Sequence, residues 1–412
     1  MAVYAAKSLK DLQPDMKKRL IYLDHAATTP IDPQVLKSMT PYWSRQFYNS
    51  SALYETARKV KRSFEAARSQ VAQVLGAKPT EIIFTAGATE ANNIALFGIA
   101  GKYKKTELVA TAIEHESVLE PLARLNKLGH KTKLIPVGAD GIVNLDKFEK
   151  SISDKTSLVS VIYANNEIGT IQPIARISQL LQRIRSGRRR RGVKTPLYLH
   201  TDGAQATNYL PLQVSRLGVD LMTLNGSKIY GPKQTGCLYV RSGVELVPYI
   251  LGGGQERGIR SGTENVAGVI GFAEALKLAA RLRLKESRRL QQLRDYTFKQ
   301  IVDQIEGVYL NGDPKLRLPN NINLAIKGVA GETLVHYLDG SGILVATGSA
   351  CSANNNRPSH VLKAIGLTSA AVNSSLRITL GRSTTKTGMD YFVKKLAAVV
   401  ARLRSMGRAD KS

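Results

Sequence analysis

At 412 residues the chain is long enough for two or three folded units, and its 43% of hydrophobic residues supplies core material that a largely disordered chain lacks. No apolar run approaches the roughly 18 residues a membrane-spanning helix needs, two cysteines are too few for a disulfide framework or a cysteine-rich zinc site, and the charged N-terminus lacks the apolar stretch of a secretory signal. Lysines and arginines number 59 against 32 acidic residues, a formal charge of +27 that draws polyanions toward the surface; the expected compartment is the reducing cytoplasm.

In chain order, the first strong periodic signal is Val60, Phe64, Ala67, Val71 and Val74, spaced by three and four, which predicts a helix over 57–75 with one apolar stripe. A strand is expected at 82–85, followed by a glycine turn that opens a helix. Further strands are expected at 108–111, 133–137, 158–163, 197–201, 221–224 and 238–241, with helical patterns at 116–128 and 173–186 between some of them. This alternation implies crossover units and a mostly parallel sheet covered by helices. The tract 183–194 carries seven cations and no acid or aromatic residue. It has no stacking platform for bases and reads first as a solvated loop or helix end, with weak non-specific nucleic-acid binding as the alternative. A long charged helix over about 265–305, strands at 321–326 and 376–379, and helices at 331–339 and 388–405 suggest a second, smaller α+β unit.

Four segments carry chemistry, most of them at strand ends, where ligands sit in open α/β sheets. Gly87-Ala88-Thr89-Glu90 follows a strand and opens a helix, so its free amides suit a phosphate, with Thr89 as an added hydroxyl. An ordinary capped turn explains it equally. Asp202 closes the predicted strand at 197–201, and Lys228 stands in a glycine-bounded loop after the strand at 221–224. A carboxylate to keep a pyridine nitrogen protonated and a lysine to form a Schiff base are the two groups a pyridoxal-phosphate enzyme requires. The fourth segment, 346–358, is small and polar and contains Cys351, a candidate nucleophile or sulfur carrier. Cys237, inside an apolar strand, reads as core.

Residues 22–30 (YLDHAATTP), 87–90 (GATE), Glu114-His115, 165–169 (NNEIG), 202–205 (DGAQ), 228–232 (KIYGP), 252–263 (GGGQERGIRSGT), 348–351 (GSAC) and 375–377 (SLR) occur in this order over roughly residues 20–405. With them the sequence resembles a cysteine desulfurase of the NifS/IscS type, in the class V aminotransferase family of pyridoxal-phosphate enzymes. The resemblance implies an α/β fold, the fold type I of these transferases. A large cofactor-binding domain would span 30–280, and a smaller α+β domain built from 1–29 and 281–412 would carry the cysteine loop. It further implies L-cysteine as substrate, alanine and a persulfide on Cys351 as products, and transfer of the sulfur to an iron–sulfur scaffold, to tRNA thiolation or to another acceptor.

By the same resemblance Lys228 carries the Schiff base, Asp202 bonds the pyridine nitrogen and Gln205 the ring hydroxyl. His115 stacks on the ring and assists proton transfer. Ala88, Thr89, Asn225 and Ser227 complete the cofactor site, Thr263 reaches the phosphate from the partner of a homodimer, and Asn166 and Arg377 hold the substrate carboxylate. No metal and no membrane contact are implied. Two departures stand out. Asn225-Gly226-Ser227-Lys228 replaces the usual Ser-Gly-His-Lys, which removes a cationic contact to the phosphate, and 47–52 (FYNSSA) lacks the usual proline near the substrate entrance. The competing readings are selenocysteine lyase or aminotransferase chemistry, and a cationic nucleic-acid or scaffold-binding protein on a decayed enzyme fold.

Overall fold

The structure, a computed structural model, describes residues 20–348 and 358–409. Its strands in chain order are β1 (Ile21–Tyr22), β2 (Ile82–Thr85), β3 (Glu107–Thr111), β4 (Lys131–Ile135), β5 (Thr156–Ser160), β6 (Tyr198–Asp202), β7 (Leu221–Asn225), β8 (Gly236–Val240), β9 (Val308–Leu310), β10 (Asn321–Ile326), β11 (Ile343–Leu344) and β12 (Ser375–Thr379). Seven of them form the central sheet in the order β2-β8-β7-β6-β5-β3-β4. Only β8 runs antiparallel to its neighbours, which gives the mostly parallel α/β sheet expected from the alternation. Strands β2, β3, β5, β6, β7 and β8 are buried almost throughout, in keeping with a parallel sheet covered on both faces.

The amphipathic helix runs from Glu55 to Leu75 and buries Val60, Phe64, Ala67 and Val71, the stripe read from its spacing; Val74 is only partly buried against the same core. It packs on the 39-residue helix Val266–Gln304. Beyond that helix, β9, β10 and β12 form an antiparallel sheet in the order β12-β10-β9. The N-terminal strand β1 pairs in parallel with β11. Thr379 then donates its amide to the Leu23 carbonyl at 2.7 Å, so the segment from residue 21 to residue 29 runs from these smaller sheets to the edge of the central one.

Of the two forms expected for it, the basic tract takes the helix end, with one inward-turned exception. The helix Ile174–Arg190 runs into it and ends at Arg190, since arginine is a good helix former and cations suit a helix C-terminus. Arg189, Arg190 and Arg191 are exposed, but Arg188 is 2% exposed. Its guanidinium folds back to donate to the carbonyls of Thr156 at 2.9 Å and Thr195 at 3.3 Å, and to that of Ser153. Arg188→Ser is therefore expected to cost about 2 kcal/mol of stability by leaving buried carbonyls unsatisfied, while serine at 189, 190 or 191 changes it by less than about 0.5 kcal/mol. Urea unfolding of the four single variants checks this, and equal effects at all four positions would refute the structural role of Arg188.

Candidate active site

The motif residues converge because they follow the C-terminal ends of parallel strands. Ala86–Thr89 follows β2, Glu114 and His115 follow β3, Asn165 and Asn166 follow β5, Asp202 ends β6, and Lys228 comes three residues after β7. The antiparallel β8 starts at the same edge, with Gly236 opposite both Thr85 and Asn225. A Cβ on Gly236 would lie 2.4 Å from the Leu224 carbonyl and 2.9 Å from the Gly87 Cα, so only glycine lets the turn after β2 close on this strand.

Lys228 ends a short 3-10 turn and donates through Nζ to the Ala27 carbonyl. Gln205 Nε2 donates to the neighbouring carbonyl of Ala26 at 2.9 Å, and Thr29 binds the Ser227 carbonyl through both its amide (2.9 Å) and its hydroxyl (3.0 Å). The residue 22–30 motif is thus the frame that holds the lysine loop. Asp202 is 3% exposed. Its Oδ2 accepts from Asn92 Nδ2 at 2.8 Å and its Oδ1 from the Ala204 amide at 2.9 Å.

Asn92 also donates to Ser117 Oγ at 2.8 Å, and His115 Nδ1 accepts from the Ser117 amide at 3.1 Å and lies 2.8 Å from that hydroxyl. With Nδ1 accepting, the ring proton sits on Nε2. Burial, reinforced by the charge of Lys228 and opposed by that of Asp202, holds the His115 pKa below its ordinary value, so the ring is neutral at physiological pH. Behind it, burial pushes the Glu114 carboxyl up to about 7. The carboxyl accepts from the Ile162 amide at 2.7 Å. Asn92 and Ser117 were not identifiable from sequence: both are ordinary helix residues there, and only packing aims them at Asp202 and His115.

The helix Ala88–Lys102 starts at the phosphate-type turn, and among the described residues no side chain caps it. Its first amides face an open cavity of about 650 Å³ lined by Gly87, Ala88, Thr89, Asn225, Ser227 and Lys233, among others. Thr263 is not among the lining residues. It borders an adjacent cavity with Arg260 and Gln234.

Arg377 is 1% exposed. Nη2 donates to Asp24 Oδ1 at 2.7 Å and Nη1 to the Asn166 carbonyl at 3.2 Å, while the buried Nε has no acceptor among the described residues. A buried guanidinium with a spare donor suits a carboxylate guest. Asp24 stands in the 22–30 segment, and nothing local in the sequence indicates its partner, which is 353 residues away. Cys351 lies outside the described residues. Cys237 is fully buried on β8, and burial pushes its thiol well above the ordinary range, as expected of a core cysteine.

A buried carboxylate beside a neutral histidine, a loop lysine and an uncapped helix N-terminus, all at one edge of this sheet, define a pyridoxal-phosphate-type transferase. Residues 21–392 match the family "Aminotransferase class-V", and the chain belongs to that family, whose members depend on pyridoxal phosphate. Within it the sequence stands with the cysteine desulfurases. It is 41% identical over 391 residues to the cysteine desulfurase IscS of Dictyoglomus turgidum, covering 94% of this chain and 96% of the relative. A solved NifS-like protein superposes with a TM-score of 0.86 at 32% identity, covering 93% of this chain and all of the other. A structure titled "SspA in complex with cysteine" matches with a TM-score of 0.76 at 34% identity, covering 87% of this chain and 98% of the other.

Proposed function

We propose that this chain is an L-cysteine desulfurase that binds pyridoxal 5'-phosphate, forms alanine, and takes the sulfur as a persulfide on Cys351 for delivery to an iron–sulfur scaffold or another acceptor. The division into a 30–280 cofactor domain and a smaller domain from 1–29 and 281–412, the homodimer and the cytoplasmic location belong to the same reading. The observation that carries it is the convergence of Lys228, Asp202 and His115 beside an uncapped helix N-terminus. The donor set fits the cofactor: an amine for its carbonyl, a buried carboxylate for its ring nitrogen, and unpaired amides with two hydroxyls for its phosphate.

When bound, the cofactor supplies an electrophilic carbonyl and a ring that accepts electrons from the substrate. The chain's own residues do the rest. Ala27 holds the Lys228 amine in place through its carbonyl. Asp202, oriented by Asn92 and Ala204, keeps a proton on a ring nitrogen placed against it. His115, neutral and fixed through Nδ1, handles a proton at Nε2. Arg377 offers its spare Nε to the substrate carboxylate, with Asp24 and Asn166 fixing the plane of the fork. The Cys351 thiolate attacks the substrate sulfur, forming the S–S bond. The breaking C–S bond leaves its electrons on carbon, which takes up a proton to give alanine.

Cys351→Ser tests the reading. A hydroxyl is a far weaker nucleophile than a thiolate, so the variant is expected to keep cofactor absorbance and bind L-cysteine but to lose alanine and sulfide production at least a hundredfold. Unchanged sulfide release would remove Cys351 from the reaction, and Cys237 is too deeply buried to take its place.

A further inference from the structure

The cavity at the start of the helix Ala88–Lys102 has an unusual charge arrangement. Ser227 precedes Lys228, so the lysine loop brings only a neutral hydroxyl to it. Among the described residues lining this cavity there is one cation, Lys233, and one acid, Glu90. The acid is already satisfied: Glu90 Oε2 accepts the Ala86 amide at 2.6 Å, and Oε1 accepts Arg260 Nε at 2.7 Å. That ion pair engages Arg260 in turn. Lys233 has no hydrogen-bond or ion-pair partner among the described residues.

The loop around Lys233 is braced rather than slack. The Gly226 amide donates to the Thr235 carbonyl at 2.8 Å, the Gly231 amide to the Gly226 carbonyl at 3.0 Å, and the Thr235 hydroxyl to the Pro232 carbonyl at 2.7 Å. A Cβ on Gly226 would lie 2.3 Å from the Thr235 hydroxyl. Gln234, next to Lys233, adopts a left-handed φ of 57°, a conformation that costs a non-glycine residue roughly 1 kcal/mol or more and persists where the surroundings impose it. A rigid, locally strained turn therefore delivers the only cation in the cavity's described lining to the cavity that Ala88 and Thr89, at the start of their helix, also line.

We propose that Lys233 is the cationic contact for the cofactor phosphate, replacing the charge that Ser227 cannot supply. This rests on the pyridoxal-phosphate reading above. A phosphate dianion held by the helix amides and the Thr89 and Ser227 hydroxyls gains a charge-assisted bond from Nζ, the stronger class of hydrogen bond. The contact concerns the phosphate alone, so it distinguishes pyridoxal phosphate from pyridoxal, which has no phosphate.

The experiment compares wild type, Lys233→Gln and Lys233→Arg, each stripped of cofactor and titrated with pyridoxal phosphate and, separately, with pyridoxal, following absorbance and dialysis retention. Lys233→Gln is expected to weaken pyridoxal phosphate binding about tenfold, leave pyridoxal binding unchanged and flatten the salt dependence, with Lys233→Arg restoring most of the affinity. Lys233 is exposed, so the melting temperature should stay at the wild-type value. Wild-type pyridoxal phosphate affinity in Lys233→Gln, or an equal loss for both compounds, overturns the proposal while leaving the cofactor reading intact. A wild-type chain that takes up neither compound overturns the cofactor reading, and this proposal with it.

Discussion

Lys228→Ala is expected to abolish desulfurase turnover and the visible absorbance of covalently attached cofactor, while leaving the fold intact. The two effects have one cause. Lys228 sits at the sheet edge three residues after β7, and Nζ is held by the Ala27 carbonyl, close enough for its charge to help hold the neighbouring His115 ring neutral. Lys233, the lysine in the described lining of the neighbouring cavity, lies on the turn beyond Pro232 and shares that cavity with Ala88, so it cannot replace the lost amine without unwinding that turn. Losses of this kind reach several powers of ten in kcat. The fold should survive because the loop is fixed mainly by its backbone: Thr29 binds the Ser227 carbonyl, and Asn208 donates to the Lys228 carbonyl at 2.7 Å. Borohydride reduction followed by mass analysis of the wild type should place the cofactor on the peptide containing Lys228. Cofactor trapped on the same region of Lys228→Ala would defeat the assignment.

Glu256→Ala is expected to be strongly destabilising although the residue takes no part in the site. Arg68 and Glu256 form a two-pronged ion pair at 2.7 and 2.8 Å, with the residues 5% and 9% exposed. Glu256 also accepts the Phe84 amide at 2.8 Å, and Arg68 donates to the Ile82 carbonyl at 2.9 Å. Those backbone groups belong to β2, which ends the central sheet and pairs only with β8, so the pair satisfies an otherwise open strand edge. The guanidinium further lies 5.2 Å from the Phe64 ring centroid and 4.7 Å from that of Phe84. Removing the carboxylate leaves the buried cation with only the half-exposed Glu65, 3.0 Å from Nε, as its counter-charge, and a strand amide without its acceptor, a combination worth about 3 kcal/mol. Replacing both partners while keeping the volume, as in Arg68→Met with Glu256→Leu, should recover part of the loss, because two uncharged side chains leave no buried charge. Urea unfolding of the single and double variants measures both. A loss below about 1 kcal/mol for Glu256→Ala would mean that the pair is not essential to the edge.

Much of this molecule was legible in its sequence, for identifiable reasons. The helix at 57–75 and the strands at 82–85, 221–224 and 321–326 lie where the apolar spacing places them, because those segments bury one stripe or two faces and are bounded by glycine or polar turns. The strand expected at 158–163 instead closes at Ser160, although the Val161 and Tyr163 amides still bond to β6 at 3.0 and 2.9 Å. An apolar run records burial, not the point where a ladder ends. Asp202 and Lys228 could be picked out because a carboxylate at a strand end and a lysine between glycines are unusual choices for structure alone.

The partners of those residues were set by the tertiary structure. Arg68 lies on the apolar stripe of its helix, four residues after Phe64 and three before Val71, which signals burial, but nothing local indicates Glu256, 188 residues away. Arg188 reads as one of four equivalent arginines, yet it alone turns inward because the carbonyls of residues 153, 156 and 195 end within its reach. Asp24 pairs with Arg377 because the segment after β1 bonds to β12, the Thr379 amide donating to the Leu23 carbonyl, which brings the two ends of the chain together. By itself the sequence determined the elements and the reactive groups, since local periodicity and residue type carry that information. The choice of which buried charge meets which acceptor was left to the tertiary structure, because a hydrogen bond is satisfied by whatever lies within about 3 Å in space, however distant along the chain.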